Sequence, residues 1–294
     1  MTSTFTPIVK RIPSSDGTII FAEAIGNPLN PGVIFVPGLC LDSIVFDCLF
    51  SDKALLECVY MVRYNMRGSG RSGKPTTAEG HASQLYADDW LAVARAFNLK
   101  NPVHVGWSYG ATAVTDICAN ITPLPISGAV FLGGLPSVGL ELRQKVLKPR
   151  IVSVASELIK PITSSWIPLK IDFIESLFDE KDHVPDSVKF TWLGSTVGYT
   201  PEDAIFALTR SQDPSKLFEA GSKGLPLLVI SGELDTHNRG EVLVQEMEPH
   251  FKNIESLMIE GGSHAIFYTH QQQVVEALLK FMGDIQGGKY GSAH

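Results

Sequence analysis

Positive charge is scarce in this chain. Lys and Arg number 24 against 31 Asp and Glu in 294 residues, a formal net charge of -7. No basic cluster breaks that balance, which argues against a nucleic-acid partner held through its phosphates. Long hydrophobic runs are absent too. Nowhere do about 18 uncharged apolar residues follow one another, so no membrane span is expected. The first thirteen residues, Met1 to Pro13, hold mixed polar residues and no apolar run resembling a signal peptide, which points to a soluble, cytoplasmic protein. Cysteine is sparse. Cys40, Cys48, Cys58 and Cys118 form no C-x-x-C pair and no metal-type spacing, and read as small buried hydrophobes in a reducing compartment. There is no internal repeat and no low-complexity tract. With 44% hydrophobic and 19% charged residues, what remains is a globular chain long enough for one large α/β domain with an insertion.

Short apolar runs alternate with amphipathic segments. Thr18 to Ala24 follows the turn Ser15-Asp16-Gly17 and reads as a strand after an initial hairpin. Val33–Val36, Val59–Tyr64, Val103–Val105 and Ala129–Leu132 each end in a Gly-bearing turn, as strands buried on both faces of a parallel sheet do. Leu85 to Phe97 carries a helical repeat. The alternation breaks after Pro136. From about residue 140 to 220 the pattern is helical and punctuated by prolines, then strands return at Leu227–Ile230 and Ile254–Ile259, followed by a terminal helix over Gln271–Met282. In such folds ligands meet the carboxyl ends of the strands.

Gly106-Trp107-Ser108-Tyr109-Gly110 is a G-x-S-x-G pattern lying between a strand and a helix. A serine on so tight a turn is pushed out of the sheet, above a helix N-terminus whose free N–H groups face developing negative charge. The plainer alternative is a serine capping a helix after a glycine turn.

These residues and the two late strand ends resemble the α/β-hydrolase family, which orders its triad as nucleophile, acid, histidine. Ser231-Gly232-Glu233-Leu234-Asp235 is similar to the family's acid turn, and Gly261-Gly262-Ser263-His264 to its histidine turn. The resemblance implies a mostly parallel, eight-stranded sheet with helices on both faces, formed by residues 1–138 and 221–294, with 139–220 as an inserted helical cap. It implies Ser108 as nucleophile, His264 as base and Asp235 as the acid orienting it, with no cofactor and no metal. Glu233 stands as an alternative acid, and Asp235 and His264 could instead merely cap the helices that follow them. His237 is a poorer base, because it would share one short loop with the acid. His104, inside a strand, is expected to be a satisfied core histidine. His81, His183, His250, His270 and His294 belong to no constellation.

The resemblance also implies an oxyanion hole from the backbone N–H groups of Leu39 and Tyr109. Many relatives have His-Gly before the first donor, whereas this chain has Pro37-Gly38. Arg67-Gly68-Ser69-Gly70-Arg71-Ser72 is Gly-rich but lacks the phosphate-loop pattern, so it reads as structural. Most apolar residues of the insert, such as Leu158, Trp166, Phe173 and Trp192, would hold the cap together, while a minority line a pocket. Trp107 and Trp166 are the candidates to touch substrate. The expected activity is hydrolysis of small to medium carboxylic esters. Lactonase, C–C hydrolase, perhydrolase or a hydrolase-like receptor would present the same residues. Epoxide hydrolases and dehalogenases use aspartate where this chain has Ser108.

Overall fold

Eight strands, buried along the middle of the sheet and partly exposed at its two edges, form in the computed structural model, which describes residues 5–291; His294 and residues 1–4 lie outside them. They are β1 (Ile8–Pro13), β2 (Ile19–Ile25), β3 (Gly32–Val36), β4 (Tyr60–Tyr64), β5 (Val103–Trp107), β6 (Gly128–Leu132), β7 (Leu227–Gly232) and β8 (Ile254–Ile259). One sheet contains them all, in the order β1-β2-β4-β3-β5-β6-β7-β8. The β1–β2 and β2–β4 pairs are antiparallel; from β4 through β8 every pairing is parallel. All residues of β4, β5 and β6 are buried, as a doubly covered parallel sheet requires. The sheet is the expected α/β-hydrolase arrangement, and the carboxyl ends of β5, β7 and β8 share one edge.

Parallel strands need crossovers, and helices supply them. Helices α1 (Asp47–Phe50), α2 (Lys53–Cys58), α3 (Ser83–Ala96) and α4 (Ala113–Asn120) are interleaved with β3 to β6. Between β6 and β7 run α5 (Leu140–Val146), α6 (Pro149–Leu158), α7 (Trp166–Glu175), α8 (Asp186–Ser195), α9 (Pro201–Thr209) and α10 (Ser215–Lys223). The chain closes with α11 (Gly240–Met247), α12 (Ile266–Thr269) and α13 (Gln271–Gln286). One face of the sheet buries Ile34, Val36 and Phe131 with Trp90 of α3, Val114 of α4, Leu217 of α10 and Leu243 of α11. The other buries Phe35, Val105 and Leu132 with Leu49 of α1, Leu55 of α2 and Leu278 of α13. Each large apolar side chain so buried contributes about 1.5–3 kcal/mol. Leu158, Phe173, Ile174 and Trp192, from the helices between β6 and β7, belong to this second cluster, so those helices share a core with the sheet.

Two expectations about buried residues need correction. Cys40 is buried, but Cys58 is exposed and Cys48 and Cys118 are half-buried, because they sit at helix ends rather than on core faces. His104 is fully buried, yet neither ring nitrogen completes a hydrogen bond among the described residues. Burial pushes its pKa down to about 3, so the ring stays neutral.

Candidate active site

The turn at the end of β5 is tight for a visible reason. A Cβ on Gly106 would fall on Ala111 Cα, and one on Gly110 on the Val36 carbonyl, so neither position accepts a side chain. Between them Ser108 holds a φ of +52°, a left-handed value costly for a residue with a Cβ. That backbone turns the chain from strand to helix within one residue. Ser108 lies half-buried at the start of a 3₁₀ turn that continues into α4.

Asp235 and His264 arrive from the tips of β7 and β8. His264 Nδ1 lies 2.8 Å from Asp235 Oδ2, with both side chains buried. The other carboxylate oxygen, Oδ1, accepts the backbone N–H groups of His237 at 2.7 Å and Asn238 at 3.0 Å. These three contacts fix the carboxylate in direction. Because Nδ1 faces the acid, the free nitrogen of the imidazole is Nε2, which is buried and has no hydrogen-bond partner among the described residues. Trp107, the neighbour of Ser108, donates its indole N–H to the His264 carbonyl at 3.0 Å. One hydrogen bond thus ties the serine turn to the histidine loop.

Glu233, the alternative acid, is exposed and accepts the Gly261 N–H at 2.9 Å; it braces a loop and touches neither histidine. His237 sits closer to the site than its spacing suggests. Its ring lies against that of His264, tilted by 37° with centroids 4.1 Å apart, and its Nε2 meets Ser176 Oγ at 2.7 Å. Burial, with the nearby His264 and Arg150, pushes its pKa well below the ordinary histidine value, so it remains neutral beside His264. No sequence spacing signals this contact, which requires Ser176 to reach it from the end of α7.

A narrow, mainly apolar cavity of about 70 Å³ opens beside Ser108. Leu39 and Tyr109 line it with Ser108, joined by Leu135, Val138, Leu147, Ile151, Ala155, Phe173 and Leu208, and by the polar Thr112, Arg143, His237 and Asn238. The Leu39 N–H makes no backbone hydrogen bond among the described residues, and the Tyr109 N–H belongs to a first helical turn, where such groups have no intrahelical partner. The Tyr109 hydroxyl donates to the Ala207 carbonyl at 2.9 Å and accepts from Arg210, whose guanidinium is paired with Asp116 at 2.7 Å in full burial.

The two tryptophans expected to touch substrate do not line this cavity. Trp107 packs on Trp192, Phe267 and the His264 ring. Trp166 is buried on α7 under the Lys170 ammonium, 4.9 Å above its ring. Of the four apolar residues named from sequence between 139 and 220, Phe173 reaches the wall, whereas Leu158, Trp166 and Trp192 are buried away from it. The Arg67 loop is structural: Arg67 is buried against Asp89 and Arg71 pairs with Asp42. Among the described residues no group of three or more His, Cys, Asp or Glu is placed to hold a metal ion, and no helix is long and apolar enough to cross a membrane.

Comparison with known proteins places this geometry in a family. The chain is 24% identical over 281 residues to a bifunctional esterase/perhydrolase from Acinetobacter calcoaceticus, covering 92% of this chain and 98% of that one. It is 33% identical over 129 residues to a non-heme chloroperoxidase from Streptomyces lividans, a match that takes in 43% of this chain and 45% of the other. Among solved structures it is similar to the esterase RhEst1 from Rhodococcus sp. ECU1013, with a TM-score of 0.82 at 19% identity over 94% of this chain and 99% of that one, a likeness of fold. The profile of the alpha/beta hydrolase family matches residues 33–277, and the chain belongs to that family.

Proposed function

We propose that the chain is a serine esterase acting on small carboxylic esters, with residues 139–220 as a cap over the nucleophile. The observation that carries this reading is Ser108, strained at φ +52° on the tip of β5, together with a buried imidazole at the tip of β8 whose outer nitrogen is unspent and whose inner nitrogen is bound to Asp235. Ser108 Oγ adds to the ester carbonyl as its proton passes to His264 Nε2. Asp235 holds the tautomer that leaves Nε2 free and stabilises the imidazolium once it forms. The backbone N–H groups of Leu39 and Tyr109 receive the oxyanion. The alkoxide leaves with the proton from His264, and water then cleaves the acyl-serine by the same steps in reverse. A cavity of about 70 Å³ suits a short acyl or alkyl arm, being well below the roughly 300–1,000 Å³ of sites for drug-sized ligands.

The likeness to an esterase/perhydrolase favours a second reaction at the same residues. Hydrogen peroxide in place of water would attack the acyl-serine and release a peroxy acid and free Ser108. Both reactions pass through acylated Ser108. A fluorophosphonate probe followed by mass spectrometry is expected to add one adduct, at Ser108. An adduct elsewhere, or equal p-nitrophenyl butyrate turnover by wild type and Ser108→Ala, rejects the assignment.

A further inference from the structure

Arg143, on α5, is the one charged side chain among the wall residues of the cavity beside Ser108, since His237 is held neutral. Five other arginines, Arg63, Arg67, Arg71, Arg150 and Arg210, each pair with a carboxylate, whereas Arg11, Arg95 and Arg239 do not among the described residues and lie away from this cavity. Arg143 pairs with none among the described residues. Among the described residues its one hydrogen bond runs from Nη1 to the Leu208 carbonyl at 3.2 Å, which uses one of five N–H donors. The neighbouring charges are occupied elsewhere: Lys145 pairs with Glu141 and Glu246, and Lys148 donates to the Asp235 carbonyl. Half-buried, Arg143 pays for desolvation without a counter-charge, and burial alone pushes its pKa below the usual value. A guanidinium does not lose its proton in response. Its planar fork matches a carboxylate, which it binds through two parallel hydrogen bonds.

We infer that Arg143 receives a carboxylate on the substrate, so that the preferred substrates are hemiesters of short dicarboxylic acids: a neutral ester end at Ser108, an aliphatic spacer along the apolar wall and an anionic end at Arg143. This rests on the esterase reading for the reaction, though not for the recognition. Hydrolysis breaks the acyl C–O bond, forms and then breaks the Ser108 ester, and yields the alcohol and the dicarboxylate with one proton released. A structural role for Arg143, tying α5 to the end of α9 through Leu208, accounts for one donor and leaves the missing counter-charge unexplained.

The test is calorimetric binding to the Ser108→Ala protein, which does not require turnover. Monomethyl succinate, glutarate and adipate are compared with the matching uncharged monoamide methyl esters. At one spacer length the acid is expected to bind about 10-fold more tightly than its amide, with a preference that falls as salt rises. Arg143→Gln in the same background should bring acid and amide together, and Arg143→Lys should restore part of the difference, because it keeps the charge and loses the fork. Equal or undetectable binding of acid and amide at every length, or a preference that survives Arg143→Gln, overturns the inference. Wild-type turnover of the same esters separates the two claims. Hydrolysis without acid preference sinks the Arg143 site and spares the esterase; acid-selective binding without hydrolysis does the reverse.

Discussion

Two glycine-rich loops sit at the ends of the strands flanking β3, and they spend their polar groups in opposite ways. In Arg67–Ser72, after β4, the Arg67 side chain reaches both oxygens of Asp89 and the Gly80 carbonyl, Arg71 grips Asp42, and Ser72 Oγ donates to the Asn65 carbonyl while accepting the Phe21 N–H. The loop is a knot of satisfied groups. At Gly106–Gly110, after β5, the serine lies strained and half-exposed to a cavity, and the imidazole nearby keeps a buried nitrogen without a partner. Leaving a buried polar group unmade costs about 1–3 kcal/mol, and His104 bears the same cost in the core, so it is the place of the free nitrogen near the serine turn, not its cost, that bears on function. Glycine content alone does not separate the two; what their side chains are left free to do does.

Substitutions in the two loops should therefore separate activity from stability. Ser108→Ala is expected to lower ester turnover on the order of 10⁶-fold while leaving the urea midpoint close to wild type. A large fall in the midpoint would mean that the serine is structural after all. Arg67→Met should do the opposite. It leaves the Asp89 carboxylate buried without its partner, at a cost of about 3–5 kcal/mol in denaturant unfolding, while the folded fraction keeps turnover within a few-fold of wild type. A variant as stable as wild type would remove the contrast between the loops.

Acid sensitivity sharpens the comparison further. The folded-state pKa of His104, about 3, lies below the roughly 6.5 of an unfolded histidine, so the unfolded chain takes up the proton first as pH falls. Stability from the neutral ring is complete above about pH 6.5 and declines toward pH 3; between pH 7 and pH 5 the loss is on the order of 2 kcal/mol. His237, also depressed by burial, acts in the same direction. His104→Leu should flatten the slope of unfolding free energy against pH; an unchanged slope would show that the ring is not its source. The smallest effect is expected at Tyr109→Phe. Loss of the hydroxyl's bonds to Ala207 and Arg210 should cost about 1–2 kcal/mol in stability, with only a modest drop in turnover, because the oxyanion donor proposed here is the backbone N–H. A loss of activity approaching that of Ser108→Ala would assign the side chain a chemical role.

Much of this was legible in the residues. Strands buried on both faces write continuous apolar runs, so β3 to β7 could be marked to within a residue or two, and the Gly-bearing ends of β5, β7 and the edge strand β8 pointed to Ser108, Asp235 and His264. What stayed hidden depends on contacts across long separations. His237 meets Ser176 from 61 residues away and Arg210 meets Asp116 from 94, and no local pattern records either. Periodicity tells which side of a helix is apolar but not whether that side meets a cavity or a core. For that reason Phe173 could not be told from Trp166.

The buried pair of Asp116 and Arg210 constrains anyone who would exchange the inserted helices for those of a relative. Asp116 stands on α4, and Arg210 directly follows α9, among the helices between β6 and β7. A chimera joined at the two ends of the insert separates their ancestry, leaving one charge in a dry interior without its opposite. Transplants of this segment should succeed only when the donor brings a cation at the Arg210 position or when position 116 is changed along with it.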